Sequence, residues 1–263
     1  MKVLIVGSTG MLGATAKKYF PNVETLDRSE LDLSDCSYAD LAMAIESKGC
    51  DTLINCAGII KQRISAADSQ MVAVNSLLPH KLSEICSLFG MKMFHITTDC
   101  VFSGRDGQYD ELNLHDALDL YGRSKSVGEP SNCMVLRTSI IGEEERNKLS
   151  LVEWVKSQAG GTVNGYTDHF WNGVTCPQLC GHIDAIVKSD WYECGTHHIF
   201  SESISKFRLV NIINEVYDLG ITVKPVNAGV CDRTLSTIRN TVFMNPKLSE
   251  QIAEMKQFYE DNK

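Results

Sequence analysis

A tyrosine and a lysine four positions apart, Tyr121 and Lys125, have the residue types and spacing best suited to chemistry in this sequence. On a helix, side chains at this spacing lie on the same face. The phenol of such a pair can donate a proton to a ketone oxygen while a nicotinamide delivers hydride to the carbon. A phenol ordinarily titrates at about pH 10, so we expect the ammonium of Lys125 to lower the pKa of Tyr121 toward neutral. We also expect both side chains to contact the cofactor, with the ammonium bonding its ribose.

The spacing alone is a weak signal, because Tyr259 and Lys263 share it in a stretch where fraying disfavours catalysis. Tyr121 differs because it follows a polar stretch, residues 97–99, at the predicted carboxyl end of a strand. Ligands bind at such strand ends in open α/β sheets. We therefore assign the chemistry to the earlier pair, and we expect the hydroxyl of Thr98 to hold the substrate oxygen.

A glycine-rich stretch near the start of the sequence predicts a binding site for a dinucleotide cofactor. Residues 3–6 are a short apolar run, typical of a strand buried on both faces of a parallel sheet. Glycines follow at the spacing that allows a tight turn, close approach of a pyrophosphate, and packing of the next helix on the strand. The N-terminus of that helix offers unpaired N–H groups to the phosphates. The expected contacts are Gly7, Ser8, Thr9, Gly10, Met11, Leu12 and Gly13.

The residues after a second predicted strand, 23–26, bear on which cofactor is bound. Asp27 lies roughly 20 residues after the first of these glycines, where an acid accepts the ribose hydroxyls of NAD and repels a 2′-phosphate. Its neighbour Arg28 can bind that phosphate bidentately, so we expect NADPH as the cofactor, with NADH also possible. Asp32 and Leu33 either lie near the adenine ring or lead into a capped helix.

Two further strand ends are expected to line the cofactor cleft. The predicted strand at 91–97 ends in Thr97, which we assign to the cofactor. The predicted strand at 52–56 ends in small side chains, which leave room for a ligand at the carboxyl edge of the sheet. These small residues are Cys56, Ala57 and Gly58.

Strand and helix patterns alternate as far as residue 142 without a linker. This alternation predicts an α/β fold with one doubly wound parallel sheet of the Rossmann type in residues 1–142. From 143 to 263 the pattern changes, and we expect a smaller α/β lobe that binds substrate and is partly interleaved with the first domain. Its predicted helices lie at 151–157, 177–188, 204–217 and 245–259, and its predicted strands at 197–200 and 221–226.

Composition excludes several classes of protein. The 263 residues are 43% hydrophobic and 22% charged, as in an ordinary globular protein. A formal net charge of −8 argues against binding of nucleic acid, and no apolar run approaches the roughly 20 residues of a membrane helix. The ten cysteines have no metal-binding spacing, so we expect no metal site and a reducing cytoplasm. A homodimer is the default expectation for assembly.

Three motifs together resemble the extended short-chain dehydrogenase/reductase family. They are GSTGMLG at 7–13, TDCVFSG at 98–104, and Tyr121 with Lys125. Within that family the chain most resembles the dTDP-4-dehydrorhamnose reductase group, well over residues 1–142 and more weakly beyond. The resemblance implies reduction of a nucleotide-linked 4-keto-6-deoxy sugar with NADPH or NADH, in the synthesis of cell-envelope polysaccharides.

The resemblance also implies roles for individual residues. Thr98, Tyr121 and Lys125 are the implied catalytic residues, and Asn75, within a helix predicted at 66–89, supports the lysine through water. The substrate contacts that we expect are Asp99, Val101, Phe102, Trp171, Asn172 and Arg233. An arginine suits a pyrophosphate, whereas Trp171 can equally pack in the core.

Two departures from the group leave the sugar open: Cys100 replaces a usual aromatic residue, and Thr234 replaces a usual proline. Dehydratases of similar fold need an Asp-Glu pair after the threonine, and here Asp99 is followed by Cys100, so a dehydratase is disfavoured. Two other functions stay open. One is a sugar-nucleotide epimerase, which uses the same tyrosine and lysine. The other is a non-catalytic NADP-binding regulatory subunit, like that of methionine adenosyltransferase.

Overall fold

The computed structural model describes residues 2–61, 68–146, 148–240 and 243–263. Its strands are β1 (Val3–Val6), β2 (Val23–Leu26), β3 (Thr52–Asn55), β4 (Lys92–Thr98), β5 (Met134–Thr138), β6 (Ile140–Ile141), β7 (Thr162–Tyr166), β8 (His169–Trp171), β9 (Val174–Thr175), β10 (Gly195–His198), β11 (Ile204–Ser205), β12 (Thr222–Val226) and β13 (Cys231–Asp232). Its helices are α1 (Met11–Tyr19), α2 (Tyr38–Lys48), α3 (Asp68–Val72), α4 (Leu78–Leu88), α5 (Leu120–Val127), α6 (Leu151–Lys156), α7 (Cys176–Lys188), α8 (Lys206–Tyr217) and α9 (Leu248–Asp261). The predicted strands and helices are confirmed with small shifts of their ends, and the helix predicted at 66–89 additionally contains a π-helical turn.

Six parallel strands form the main sheet, in the order β2-β1-β3-β4-β5-β10. The chain passes from β1 to β2 on one side and then crosses to β3 on the other side. Helices α1 and α7 cover one face, and α2 and α4 cover the opposite face. This is the predicted doubly wound sheet. Its ligand site is expected at the carboxyl ends of β1 and β3, where the strand order reverses.

Strand β1 shows why the sequence forms this core. Its four side chains are at most 1% exposed. Val3 and Ile5 point into one apolar core, whereas Leu4 and Val6 point into the other. A strand covered on both faces needs an unbroken apolar run rather than an alternating one, and this is the pattern of residues 3–6.

A further apolar core lies between α6, α8, α9 and β7. Chain order does not separate it cleanly from the main sheet, because β10 supplies the sixth strand and α7 packs against α1. The division of the chain at residue 142 therefore stays a prediction. Within the described ranges, no helix has the length and apolar character needed to cross a bilayer.

The helix predicted at 66–89 is helical without interruption from residue 68 to 88, but it contains a π-helical turn that the sequence did not predict. Helix α3 is followed by a π-helical turn, Ala73–Leu77, and only then by α4; residues 66 and 67 lie outside the described part of the chain. Pro79 in the first turn of α4 has no N–H to donate, and a wider turn before it accommodates this loss. The turn contains Asn75, and such turns often occur at functional sites.

Candidate active site

Two adjoining cavities lie at the carboxyl ends of β1 and β3. One has a volume of about 330 Å³ and reaches Asp27. The other has a volume of about 400 Å³ and reaches Tyr121. They share Gly10, Met11 and Glu144, so they form one groove of the size and length that suit an extended dinucleotide. The predicted cofactor residues on its walls are Ser8, Thr9, Gly10, Met11, Leu12, Asp27, Cys56, Ala57, Gly58, Thr97, Tyr121 and Lys125.

The glycine turn brings α1 close to β1. Gly7 has a φ of 83°, a left-handed conformation that favours glycine, and its carbonyl accepts a hydrogen bond from the N–H of Gly10 at 3.2 Å. A Cβ atom on Gly13 would lie 2.2 Å from that carbonyl oxygen and 2.8 Å from the Cα of Ser8. Gly7 and Gly13 therefore shape the turn, while Ser8, Thr9 and Gly10 form the wall of the groove.

Gly13→Ala is expected to lower the free energy of unfolding by about 1–3 kcal/mol, because α1 must move away from the turn to accept the methyl group. Gly10→Ala is the matched control: its Cβ would have one neighbour within 4 Å, at an ordinary 3.7 Å. The free energy of unfolding of Gly10→Ala should stay within about 1 kcal/mol of wild type. Urea unfolding followed by circular dichroism gives both values. Equal stabilities of the two variants would contradict the close approach at Gly13.

Helix α5 holds Tyr121 against the end of β4. Its N-cap residue Asp119 accepts a hydrogen bond from the N–H of Gly122 at 2.8 Å and another from Lys61 Nζ at 2.6 Å. The Lys61 ammonium lies 5.6 Å from the centroid of the Tyr121 ring, within cation–π range. A Cβ atom on Gly122 would lie 2.3 Å from the carbonyl oxygen of Cys100, so only glycine allows the helix to approach this closely.

The phenol of Tyr121 is a neutral group at physiological pH. Burial is the main cause that raises the pKa of Tyr121, and the neighbouring Cys100 adds to it, whereas a hydrogen bond from Thr98 acts in the opposite direction. The predicted lowering of this pKa by Lys125 is wrong: burial raises the pKa of Tyr121, and Lys125 is not among the main causes of its shift. A phenol that keeps its proton is in the state that a proton donor needs.

The end of β4 places three polar side chains on the wall of the same cavity. The Thr98 hydroxyl donates to Asp99 Oδ1 at 3.0 Å and accepts from the N–H of Cys100 at 3.1 Å. Burial raises the pKa of the Asp99 carboxyl. The hydroxyl of Thr97 is buried and has no hydrogen-bond partner among the described residues. An unsatisfied buried hydroxyl is costly, so a ligand that bonds it would be stabilised there.

Asn75 connects the loop after β3 to helix α5. Its Oδ1 accepts from the N–H of Ile59 at 2.8 Å, and its Nδ2 donates to the carbonyl of Ile59 at 2.9 Å and to Ser124 Oγ at 3.1 Å. The residue is fully buried. These bonds fix the loop that contains Gly58 against the helix that contains Tyr121 and Lys125. The water-mediated support of Lys125 stays a prediction.

The ammonium of Lys125 lies in the wall of the groove. Nζ would be 3.1 Å from a Cβ atom on Gly58, and the side chain is buried. In the part of the chain that the structure describes, this ammonium has neither a hydrogen bond nor an ion pair within 4 Å. Burial lowers the pKa of Lys125 from its usual 10.5 to about 8, and Glu129 partly opposes this shift. The group is therefore a largely protonated cation near neutral pH.

Lys125→Met is expected to be more stable than wild type at pH 7, by about 3 kcal/mol, because a buried charge is replaced by an apolar group of similar length. The folded-state pKa is depressed, so the unfolded chain binds more protons between about pH 8 and 10.5. The advantage of the variant is therefore full below pH 8 and declines as pH rises to 10.5. Urea unfolding at pH 7 and at pH 9.5 checks this. An advantage that does not shrink at pH 9.5 would contradict it.

The residues on the walls fit a nicotinamide dinucleotide. Gly10, on the wall of the groove, has no side chain to hold a pyrophosphate away from the backbone, and α1 presents its N-terminus at that place. The unpartnered Thr97 hydroxyl and the unpaired Lys125 ammonium are available to polar groups such as ribose hydroxyls. Tyr121 and Thr98 lie on the wall of the same cavity, where a ketone oxygen could contact both.

Comparison with known proteins identifies the family. Residues 1–261 match the family model described as the RmlD substrate binding domain. The chain belongs to this family. It is an RmlD-like member of the extended short-chain dehydrogenases/reductases, as the motifs predicted.

This RmlD-family chain spans about half the length of the curated relatives it matches. It is 26% identical over 149 residues to dTDP-4-keto-6-deoxy-D-glucose reductase of Streptomyces niveus, which is 52% of this chain and 51% of that protein. It is 29% identical over 168 residues to methionine adenosyltransferase 2 subunit beta of Danio rerio, 57% of this chain and 51% of that protein. Among solved structures, dTDP-4-dehydrorhamnose reductase from Bacillus anthracis in complex with NADP has a TM-score of 0.82 at 21% identity, covering 99% of this chain and 100% of that chain. At this identity the likeness shows the fold.

Several predicted contacts lie away from the walls of both cavities in this RmlD-family chain. Val101 and Phe102 are fully buried in a small apolar cluster. The amide of Asn172 bonds both backbone groups of Leu235, at 2.8 and 2.9 Å. Trp171 packs in the apolar core between α6, α8, α9 and β7, as its alternative interpretation expected, although its Nε1 donates to Ser139 at the cavity wall at 2.8 Å. These four residues therefore pack in apolar cores or bond other parts of the chain, and they do not line either cavity.

Three residues predicted to contact the adenine ring or its 2′-phosphate also lie off the groove. Arg28 is exposed and pairs with Asp32 at 3.7 Å. Leu33 packs against the apolar core beneath α2 and α4.

On the substrate side, Arg233 donates from Nε to the carbonyl of Phe102 at 2.9 Å and acts on the charge of Asp99. It lies near the residues that follow β4 without lining either cavity.

Sequence reasoning missed several residues that the fold brings to the site. Lys61 contacts Tyr121, and Ser139 and Glu144 line the cavities. Lys206, at the start of α8, lies 5.1 Å over the Trp171 ring, and burial lowers its pKa while Asp99 acts in the opposite direction. Each is a polar residue of ordinary type in its own stretch of sequence, so no local signal could have found it.

Proposed function

We propose that this chain is an NAD(P)H-dependent reductase of a nucleotide-linked 4-keto-6-deoxy sugar. One observation carries the proposal: Tyr121, Thr98 and Lys125 line a single cavity that continues into the groove beside the glycine turn. The named reductase among the curated relatives supports this substrate class, and the NADP complex of a protein of the same fold supports the cofactor. We propose NADPH as the cofactor, with NADH also used.

In the proposed reaction, the reduced nicotinamide supplies hydride to the C4 carbon of the sugar. The residues of the chain handle the oxygen. The neutral phenol of Tyr121 donates its proton to the ketone oxygen as negative charge develops there, and the Thr98 hydroxyl orients that oxygen. The Lys125 ammonium stabilises the phenolate left behind and bonds the ribose. Asn75 keeps helix α5 and the loop at Gly58 in register.

The setting of the reaction is part of the proposal. All ten cysteines are free, which is compatible with a reducing cytoplasm. We propose that the chain works there as a homodimer, in the synthesis of cell-envelope polysaccharide. Among the described residues, no cluster of His, Cys, Asp or Glu could hold a metal ion, and the proposed mechanism uses none.

A spectrophotometric assay tests this function. Purified protein is mixed with NADPH and a panel of nucleotide-linked 4-keto-6-deoxy sugars, and the loss of reduced nicotinamide absorbance is followed. Oxidation that depends on one sugar supports the reductase. Conversion of the sugar without net change of nicotinamide would indicate an epimerase. Binding without turnover would favour a regulatory subunit, the function that the match to methionine adenosyltransferase 2 subunit beta keeps open.

A further inference from the structure

The cavity beside Asp27 has walls of both charges, and its acidic residues are largely neutralised by other partners. Glu145 pairs with Lys18 at 2.5 Å. Glu143 accepts hydrogen bonds from Lys156 Nζ at 2.9 Å and from the Tyr217 hydroxyl at 2.8 Å. These acids therefore repel an incoming anion less than their number suggests.

The remaining glutamate of residues 143–145 also accepts hydrogen bonds. Glu144 accepts hydrogen bonds from the N–H groups of Leu149 at 2.5 Å and Ser150 at 2.8 Å through one carboxylate oxygen. These backbone N–H groups partly offset the negative charge of the carboxylate. Asp27, like Glu144, accepts hydrogen bonds only from uncharged donors. Its Oδ1 accepts from the N–H and the hydroxyl of Ser29, at 3.0 and 2.6 Å.

Two cations face this carboxylate without an anion of their own. Lys17, on α1, and Arg146, after β6, both line the cavity. Within the described ranges, neither side chain has a hydrogen bond or an ion pair within 4 Å. Both act on Asp27: its pKa is lowered first by the Ser29 hydrogen bonds and then by the charges of these two residues. Lys17 lies on α1 and Arg146 in the loop after β6, and both charges also act on Glu145, whose ion-pair partner is Lys18.

Arg28, the residue that follows Asp27, is placed differently. Its guanidinium pairs with Asp32 at 3.7 Å, its side chain is 69% exposed, and it does not line the cavity. Arg28, which the sequence predicts to bind a 2′-phosphate, thus pairs with Asp32 outside the cavity. Lys17 and Arg146 lie on the cavity wall instead.

We infer that Lys17 and Arg146 together hold the 2′-phosphate of NADP in this groove and so decide the balance between NADP and NAD. The inference rests on the proposed cofactor groove. Asp27 accepts the free ribose hydroxyls of NAD and repels a 2′-phosphate. The two unpaired cations offset that repulsion through charge-assisted hydrogen bonds. The chain therefore binds both nucleotides, and the preference for NADP depends on ionic strength.

Equilibrium binding tests the inference without reference to turnover. The full chain is titrated with NADP⁺ and NAD⁺ by isothermal calorimetry, as wild type and as Lys17→Gln, Arg146→Gln and the double variant. Each single change should weaken NADP⁺ binding about fivefold, and the double change about 25-fold, with NAD⁺ binding within about twofold of wild type. Arg28→Gln is the matched control and should leave the ratio of the two affinities within about twofold. Raising the salt concentration should reduce this ratio in wild type but not in the double variant.

The outcomes separate the two proposals. A loss of the NADP⁺ preference in Arg28→Gln, or an equal effect of the double variant on both nucleotides, overturns the roles of Lys17 and Arg146. A chain that shows the expected affinity ratios but reduces no sugar overturns the reductase and leaves the inference standing. A chain that binds neither nucleotide overturns both.

Discussion

Tyr121→Phe should lower kcat for NADPH oxidation by about 100- to 10,000-fold, the range by which a positioned proton donor accelerates a reaction. The substitution removes one oxygen from a half-buried ring at the wall of the cavity. In the proposed mechanism the variant lacks the group that protonates the ketone oxygen, and Thr98 can only orient that oxygen. The measurement is the steady-state rate with the sugar that wild type reduces best.

The controls for Tyr121→Phe separate chemistry from folding and binding. Tyr166 is exposed on β7, so Tyr166→Phe loses the same hydroxyl group away from the cavity and should keep the wild-type rate. The affinity for NADP⁺ should change by no more than about threefold in Tyr121→Phe, because the proposed charged contact with the ribose comes from Lys125. A Tyr121→Phe variant with the wild-type kcat would show that the phenol is not the proton donor.

Arg137→Met should lower the free energy of unfolding by about 3–5 kcal/mol, the cost of removing one partner from a buried ion pair. Arg137 is 2% exposed, and its guanidinium donates to both oxygens of Glu129, at 2.5 and 3.2 Å. It also donates to Nε2 of His198 at 2.7 Å and of His115 at 2.8 Å. Burial, followed by the charge of Arg137, lowers the pKa of His198 to about 4, so that this ring is neutral and accepts the bond. Urea unfolding at pH 7 measures the loss.

Two further variants show whether the loss comes from the unpaired carboxylate. Adding Glu129→Gln to Arg137→Met removes the stranded charge and should restore part of the stability, which a double-mutant cycle quantifies. Arg208→Met is the matched surface control, because Arg208 and Glu215 are 3.5 Å apart and more than half exposed. It should change stability by no more than about 1 kcal/mol. A loss in Arg137→Met as small as that of the surface variant would contradict a buried ion pair.

The sequence by itself determined the parts of this protein that depend on local pattern. The unbroken apolar run at 3–6 predicts a strand covered on both faces, and β1 is such a strand, because burial on both sides of a sheet demands it. The glycines at 7–13 predict a turn that Cβ atoms would block, and the distances at Gly13 agree. Tyr121 and Lys125 reach the same cavity because one helical turn relates them.

Where sequence reasoning failed, contacts between distant segments decided the outcome. Trp171 and Asn172 have types that suit ligand binding, yet they pack against Ser139 and Leu235, some thirty to sixty positions away. The predicted direction of the pKa shift of Tyr121 was wrong because desolvation depends on how α5 packs on β4. The spacing of residues in the sequence does not reveal that packing.

Only the tertiary structure could place Lys61 beside Tyr121, or Arg146 opposite Asp27. Local pattern determines which elements form, because the period of a helix or strand is a property of neighbouring residues. Electrostatics and specificity depend on which charges meet across the groove and how much water is excluded there. Those quantities exist only once the elements have packed, so the fold decided them.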